Sequence, residues 1–156
     1  MRVAIAGDHA GFVLKNEAVE HVRRLGHATL DLGPAKLVPE DDYPDFALAV
    51  ARAVLDGRAD RAVLVCGSGV GASVAATKVA GIRAAVCHDS FSARQGVEDD
   101  DMNVLCLGSR VIGPELAKEL ISVFLEARFS NAERHVRRLG KVRAMECAQA
   151  NQEAAE

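Results

Sequence analysis

Residues 63–73, "VLVCGSGVGAS", decide the fold. An apolar run ends at Cys66; Gly67, Gly69 and Gly71 then stand at alternate positions, and small residues follow. This pattern reads as strand, tight turn and helix start. Such a turn presents unpaired backbone N–H groups and the positive end of a helix, so it favours negative charge. Three chemistries share that physics: a phosphate cradle, a dinucleotide fingerprint, and a nucleophile held beside an anion hole. The rest of the chain has to separate them.

Outward from this stretch, four further β-type runs end in glycine, polar or charged residues: "RVAIAGDHAG" from Arg2, "HATLDLG" from His27, "IRAAVCHD" from Ile82 and "NVLCLGSR" from Asn103. Helical stretches separate them, and alternation of strand with helix implies a parallel sheet. In "FVLKNEAVEHVRRLG" the residues Val13, Leu14, Ala18, Val22 and Leu25 fall near helical spacing, which predicts a core-facing helix stopped by Gly26. "YPDFALAVARAVLDG" repeats the plan, with Gly57 as its stop. Right-handed crossovers then predict an α/β fold: a three-layer, doubly wound, open parallel sheet of about five strands, Rossmann-like. Its ligands belong beyond the carboxyl ends of the strands, where Gly7 to Gly11, Cys66 to Gly71 and the His88–Asp89 pair should gather. A helix from Pro114 to Phe129 closes the last unit, and a basic C-terminal helix starts at Ser130. Residues 1–150 are expected to form one domain and 151–156 a frayed tail.

At 156 residues the chain can bury a core without disulfides or metal. Its net charge of −3 argues against a general nucleic-acid binder, and no apolar run approaches the roughly 20 residues that cross a membrane. Cys66, Cys87, Cys106 and Cys147 lie far apart with no C-x-x-C pair, so neither a disulfide framework nor a zinc site is expected, and the thiols read as reduced in a cytoplasm. His9 lacks a second ligand at zinc spacing. "EDDD" at 98–101 lacks the alternating ligands of a calcium loop, so no metal is assigned.

Gly67-Ser-Gly69-Val-Gly71-Ala72 fits G-x-G-x-x-A, with Asp89 downstream at the end of the next strand, which is the spacing of a dinucleotide site. Against it, the motif follows the third strand rather than the first, and no second domain offers a substrate site. Cys66 reads either as a buried structural thiol or as a thiolate favoured by the amide-rich turn. Asp8 and His9, at the end of the first strand, read as ligand contacts, with Asp8 also suited to capping the next helix. Arg134 and Arg138, one helical turn apart, can clamp one phosphate or can belong to a solvated basic face with Arg137, Lys141 and Arg143.

Together, "GDHAG", "DDYPDFA" from Asp41, "CGSGVGASVAATKVAGIRAA" from Cys66, "NVLCLGSRVIG" from Asn103 and "FSNAERHVRRL" from Phe129 resemble the ribose-5-phosphate isomerase B family, which includes the galactose-6-phosphate isomerase subunits. The resemblance runs from Met1 to about Glu146. It implies aldose–ketose interconversion of a sugar phosphate through a cis-enediol(ate), with no cofactor, in a homodimer or dimer of dimers whose sites are shared between subunits. By resemblance Cys66 is the base, since the glutamate that some members use six positions later is Ala72 here. The amides of Gly67, Ser68, Gly69, Val70 and Gly71 would hold the enediolate, and Ser68 would bond the thiol or a substrate hydroxyl. Asp8 and Tyr43 fall on the sugar, and His9, Arg134 and Arg138 around the phosphate, with Arg110 coming from the partner subunit.

The chain departs from the family where a histidine that helps open the sugar ring precedes the "NVL" strand: Asp99 and then Asp100 stand here. Asp99 takes that role only if crowded carboxylates raise its pKa. Ribose 5-phosphate is the expected substrate. The alternatives are an open-chain tetrose 4-phosphate, a hexose 6-phosphate and, in another class, a non-catalytic nucleotide-binding module.

Overall fold

The computed structural model of the chain describes the backbone of residues 1–153 and the side chains of residues 1–148. Strand and helix alternate as β1 (Arg2–Gly7), α1 (Phe12–Arg24), β2 (Ala28–Asp31), α2 (Tyr43–Leu55), β3 (Arg61–Cys66), α3 (Val70–Ala76), β4 (Ala84–Val86), α4 (Ser90–Asp100), β5 (Val104–Gly108) and α5 (Pro114–Glu126). A last helix, α6 (Glu133–Glu153), follows. Each of the five β-type runs forms a strand, and every pairing is parallel in the order β2-β1-β3-β5-β4.

Side-chain alternation along the strands divides the core in two. Val3, Ile5, Val63, Val65, Leu105 and Leu107 meet α1, α4 and α5 through Leu14, Val22, Val97, Leu120 and Phe124. Ala4, Ala6, Ala62, Leu64, Val104 and Cys106 meet α2 and α3 through Ala47, Val50, Ala51, Ala72 and Ala76. The expected three-layer, doubly wound sheet is the result. From β1 the chain goes to one side for β2 and to the other for β3, so the crevice between β1 and β3 is a topological switch point, where such sheets bind ligands.

Gly26 and Gly57 end α1 and α2 in the left-handed region, at φ 81° and 66°. The inward face of α1 differs from its expected pattern. Val13 and Leu25 are 70% and 39% exposed, while Lys15 and Val19 are buried. Lys15 can turn inward because its stem crosses Gly7 and Gly33, where a Cβ would lie 3.2 Å from it, and its Nζ reaches the Asp31 carboxylate at 2.8 Å. A buried cation is tolerated when so paired. α5 stops at Glu126, short of Phe129, because the Arg61 and Arg128 guanidiniums take the carbonyls of Phe124, Leu125 and Ala127. α6 continues through Glu153, into the stretch expected to fray at 151, and 154–156 lie outside the described residues. Among the described residues no helix is long and apolar enough to cross a membrane.

Candidate active site

The carboxyl ends of β1 and β3 open onto a cavity of about 360 Å³ lined by Asp8, His9, Ala10, Tyr43, Cys66, Gly67, Ser68, Gly71, Arg110 and Val111. Backbone bonds fasten its rim. Past the end of β5, the amides of Ser109 and Arg110 donate to the carbonyls of Cys66 and Gly67, both at 2.9 Å, and the Ser109 hydroxyl donates to the Ala10 carbonyl at 2.7 Å. Gly11 is required for the approach of the two loops: a Cβ there would lie 2.2 Å from the Val65 carbonyl oxygen.

Cys66 is the last residue of β3, on the α2–α3 side of the sheet, and is 5% exposed. Its Sγ accepts the Gly69 amide at 3.1 Å. Gly69 can present that amide because it sits at φ 82°, where side chains are strained. The Val70 amide is taken by the Ser68 Oγ at 3.2 Å, which spends one lone pair of that hydroxyl inside the loop. Among the described residues no protein acceptor takes the amides of Gly67, Ser68 or Gly71, three residues of the turn that line the cavity, so these amides are donors left for an anion there. Burial pushes the neighbouring thiols up, Cys87 to about 11 and Cys106 further, so neither is a base near neutrality.

Asp8 is buried, and its Oδ1 accepts the Gly11 amide at 2.9 Å, closing the turn ahead of α1. His9 is held by Asp41: Oδ1 accepts both the His9 amide at 2.7 Å and the ring Nδ1 at 2.9 Å. The Asp41 hydrogen bond raises the His9 pKa, with the Asp8 charge adding to it against some desolvation. Because the folded value exceeds the unfolded one, this pairing stabilises the fold below the ordinary histidine pKa and ceases to do so as pH rises through the raised value. Asp41→Asn is therefore expected to move the His9 midpoint down in an NMR titration; an unchanged midpoint would show that the carboxylate does not hold the charge. No local pattern around Asp41 marks its role, because its partner is 32 residues away and only the fold unites them.

Arg110, expected from a partner subunit, lines the cavity of its own chain, because its amide is tied to Gly67 and its guanidinium then lies over that glycine. Six other expected residues do not line the cavity: Gly69 and Val70, whose amides are taken by the Cys66 Sγ and the Ser68 Oγ, and Asp99, Asp100, Arg134 and Arg138. Asp99 and Asp100 end α4; Asp99 accepts the Gln95 Nε2 at 2.6 Å, and its other oxygen lies 3.3 Å from the His135 Nδ1, which meets the Ser130 Oγ at 2.7 Å. Asp100 faces a separate cavity of about 350 Å³ between β4, α4 and α6, whose lining includes Ile82, Met102, Val142 and Met145. Arg134 and Arg138 are exposed on α6, and the Arg134 Nε donates to the His135 Nε2 at 2.8 Å. Asp89, the acid that the dinucleotide reading needs, accepts the Ser92 amide at 2.7 Å and caps α4.

Comparison with known proteins adds relatives along nearly the whole chain. The sequence profile described as ribose/galactose isomerase matches residues 3–142. Ribose-5-phosphate isomerase B of Escherichia coli is 43% identical over 93% of this chain and 96% of its own. D-erythrulose-4-phosphate isomerase of Pectobacterium atrosepticum is 41% identical over 83% of this chain and 85% of its own. The solved structure of ribose-5-phosphate isomerase B from Clostridium thermocellum superposes with a TM-score of 0.92 at 42% identity, covering 96% of this chain and 99% of that one.

Proposed function

From the premise that this chain belongs to the ribose/galactose isomerase family and is a sugar-phosphate aldose–ketose isomerase, we propose that it interconverts ribose 5-phosphate and ribulose 5-phosphate with Cys66 as the base. The observation that carries the reading is the Gly69 amide on the Cys66 Sγ, at the mouth of a cavity that also holds Asp8, His9 and Arg110. A thiolate there takes the proton from C2 of the open-chain aldose and returns it to C1, while O2 gives up a proton and O1 gains one. The enediolate between these steps carries its charge on oxygen, where the amides of Gly67, Ser68 and Gly71 can stabilise it. Asp8 and Tyr43 bind sugar hydroxyls, Ser68 keeps its hydroxyl proton to donate, and His9 and Arg110 bind the phosphate. Raised by Asp41, His9 keeps its charge to a higher pH, so KM should climb as pH rises through its titration.

Arg134 and Arg138 reach a phosphate on this reading only from a second copy, since their own cavity lacks them; a homodimer, alone or paired into a dimer of dimers, completes the site. The buried free thiols Cys66, Cys87 and Cys106 fit a reducing compartment, and we place the enzyme in the cytoplasm. Formation of ribulose 5-phosphate from ribose 5-phosphate, undiminished by a chelator, tests the proposal. No turnover, or turnover abolished by chelation, would overturn it.

One observation favours a second substrate, an open-chain tetrose 4-phosphate. Asp99 does not line the cavity, and one of its carboxylate oxygens accepts the Gln95 Nε2, so it is poorly placed to take a ring hydroxyl proton. Ribose 5-phosphate closes a furanose through its fourth hydroxyl; in a tetrose 4-phosphate that oxygen carries the phosphate, and the ring cannot form. Asp99→His is expected to raise kcat/KM for ribose 5-phosphate and to leave erythrose 4-phosphate within about twofold. Equal changes for both substrates would remove Asp99 from ring opening.

A further inference from the structure

β4 is short and ends at Val86, and after Cys87 the chain turns away toward α4. A parallel ladder continued past Cys87 would offer the Gly108 amide a main-chain carbonyl from that edge. Instead the Gly108 amide donates to the imidazole Nε2 of His88 at 2.9 Å, so the ring is neutral there and its proton sits on Nδ1. His88 does not line the cavity, and nothing in the proposed reaction uses it.

What it fastens is the floor of the catalytic turn. A Cβ on Gly108 would lie 2.5 Å from the Ser68 carbonyl oxygen, and one on Gly69 would lie 3.1 Å from the Leu107 carbonyl carbon and 3.3 Å from the Gly108 nitrogen. The Leu107–Gly108 peptide therefore lies directly beneath Ser68 and Gly69. Gly69 is the residue whose amide meets the Cys66 Sγ. Ser109 and Arg110 bind the flanks of the turn at Cys66 and Gly67, and pairing with β3 holds one edge of the Leu107–Gly108 peptide, so the Gly108 amide is the group that ties this peptide on the β4 side.

We propose that His88 is a positioning residue for the Cys66 turn: by accepting the Gly108 amide it fixes the Leu107–Gly108 peptide on which Ser68 and Gly69 rest, and so aims the Gly69 amide at the Cys66 sulfur. Its effect on turnover rests on the isomerase reading, whereas its effect on Cys66 does not. An anion site is worth most when its donors need no reorganisation as charge develops, so a loosened floor should lower kcat and leave phosphate binding alone.

His88→Leu removes the acceptor, and His88→Gln restores one, since the Gln Oε1 lies as many bonds from Cβ as the His Nε2. His88→Leu is expected to lower kcat about tenfold with KM little changed, and His88→Gln to recover most of that loss. The alkylation rate of Cys66, followed by mass spectrometry of its peptide, should fall in the leucine variant and recover in the glutamine variant. Melting temperatures of both variants separate positioning from folding. Parental kcat and Cys66 alkylation in His88→Leu would overturn the proposal. So would equal losses in both variants with equal falls in Tm, which mark His88 as packing alone. A parent protein that turns over no sugar phosphate would sink the isomerase reading, and Cys66 alkylation would still judge His88.

Discussion

Cys66→Ala is expected to lower kcat about a thousandfold while the protein stays folded, since a positioned proton-transfer group contributes about 10² to 10⁴ in rate. The argument rests on the pairing of one side chain with one amide. Cys66 ends β3 with its sulfur on the Gly69 N–H, so the variant removes the proposed base and leaves Gly69, Ser68 and the flanking Ser109 and Arg110 bonds in place. Losing one buried sulfur should cost about 1 kcal/mol, which a domain of this size withstands. Cys66→Ser keeps an acceptor for the Gly69 amide but supplies a far weaker base, so it should be as inactive as the alanine variant and fold at least as well. Turnover and thermal unfolding, measured on both, check this. Near-parental turnover in Cys66→Ala would assign the proton transfer elsewhere.

The parts of this molecule that were legible in the sequence are those in which a local pattern carries its own physics. Five apolar runs ending in turn residues predicted five parallel strands, and Asp8, His9 and Cys66 stand in those turns, so their meeting at one sheet edge followed from topology alone. The strand order did not. β4 is three residues long, and it lies outside β5 because the Arg83 amide donates to the Asn103 Oδ1 at 2.8 Å, the Arg83 guanidinium pairs with Asp101 at 2.8 Å, and the Asn103 Nδ2 donates to the Gly81 carbonyl at 2.9 Å. Such contacts leave no periodic trace. Lys15 reads as a surface residue until Asp31 is seen beside it, and Val13 reads as core until Lys15 takes the inward place. Likewise the acidic run at Asp99 gave no sign of His135, 36 residues away, whose Nδ1 lies 3.3 Å from Asp99 and whose Nε2 accepts the Arg134 Nε. Sequence spacing placed Arg134 and Arg138 on one helix face correctly, but only the fold shows that this face lies away from its own cavity.

Gly108→Ala should produce the second largest loss, about a hundredfold in kcat, by a different route from Cys66→Ala. The added methyl would stand 2.5, 2.6 and 2.9 Å from the O, C and Cα atoms of Ser68, all backbone, so no flexible side chain can swing aside. The turn on each side is held by the Ser109–Cys66 and Arg110–Gly67 bonds, and relief must come from lifting Ser68 and Gly69 by about half an ångström or more. That motion carries the Gly69 amide off the Cys66 sulfur and shifts the Ser68 amide from the place proposed for it beside the enediolate. Overpacking should also cost about 1–3 kcal/mol of stability, visible as a lower Tm. Gly113→Ala is the control: nothing lies within 4 Å of a Cβ there, so turnover should be unchanged. Because Gly108→Ala and His88→Leu disturb the same peptide, their effects on kcat should combine to less than the product of the two. Full multiplicativity would mean that the imidazole and the glycine support the turn separately, and parental kcat in Gly108→Ala would mean that the β5 end does not support it at all.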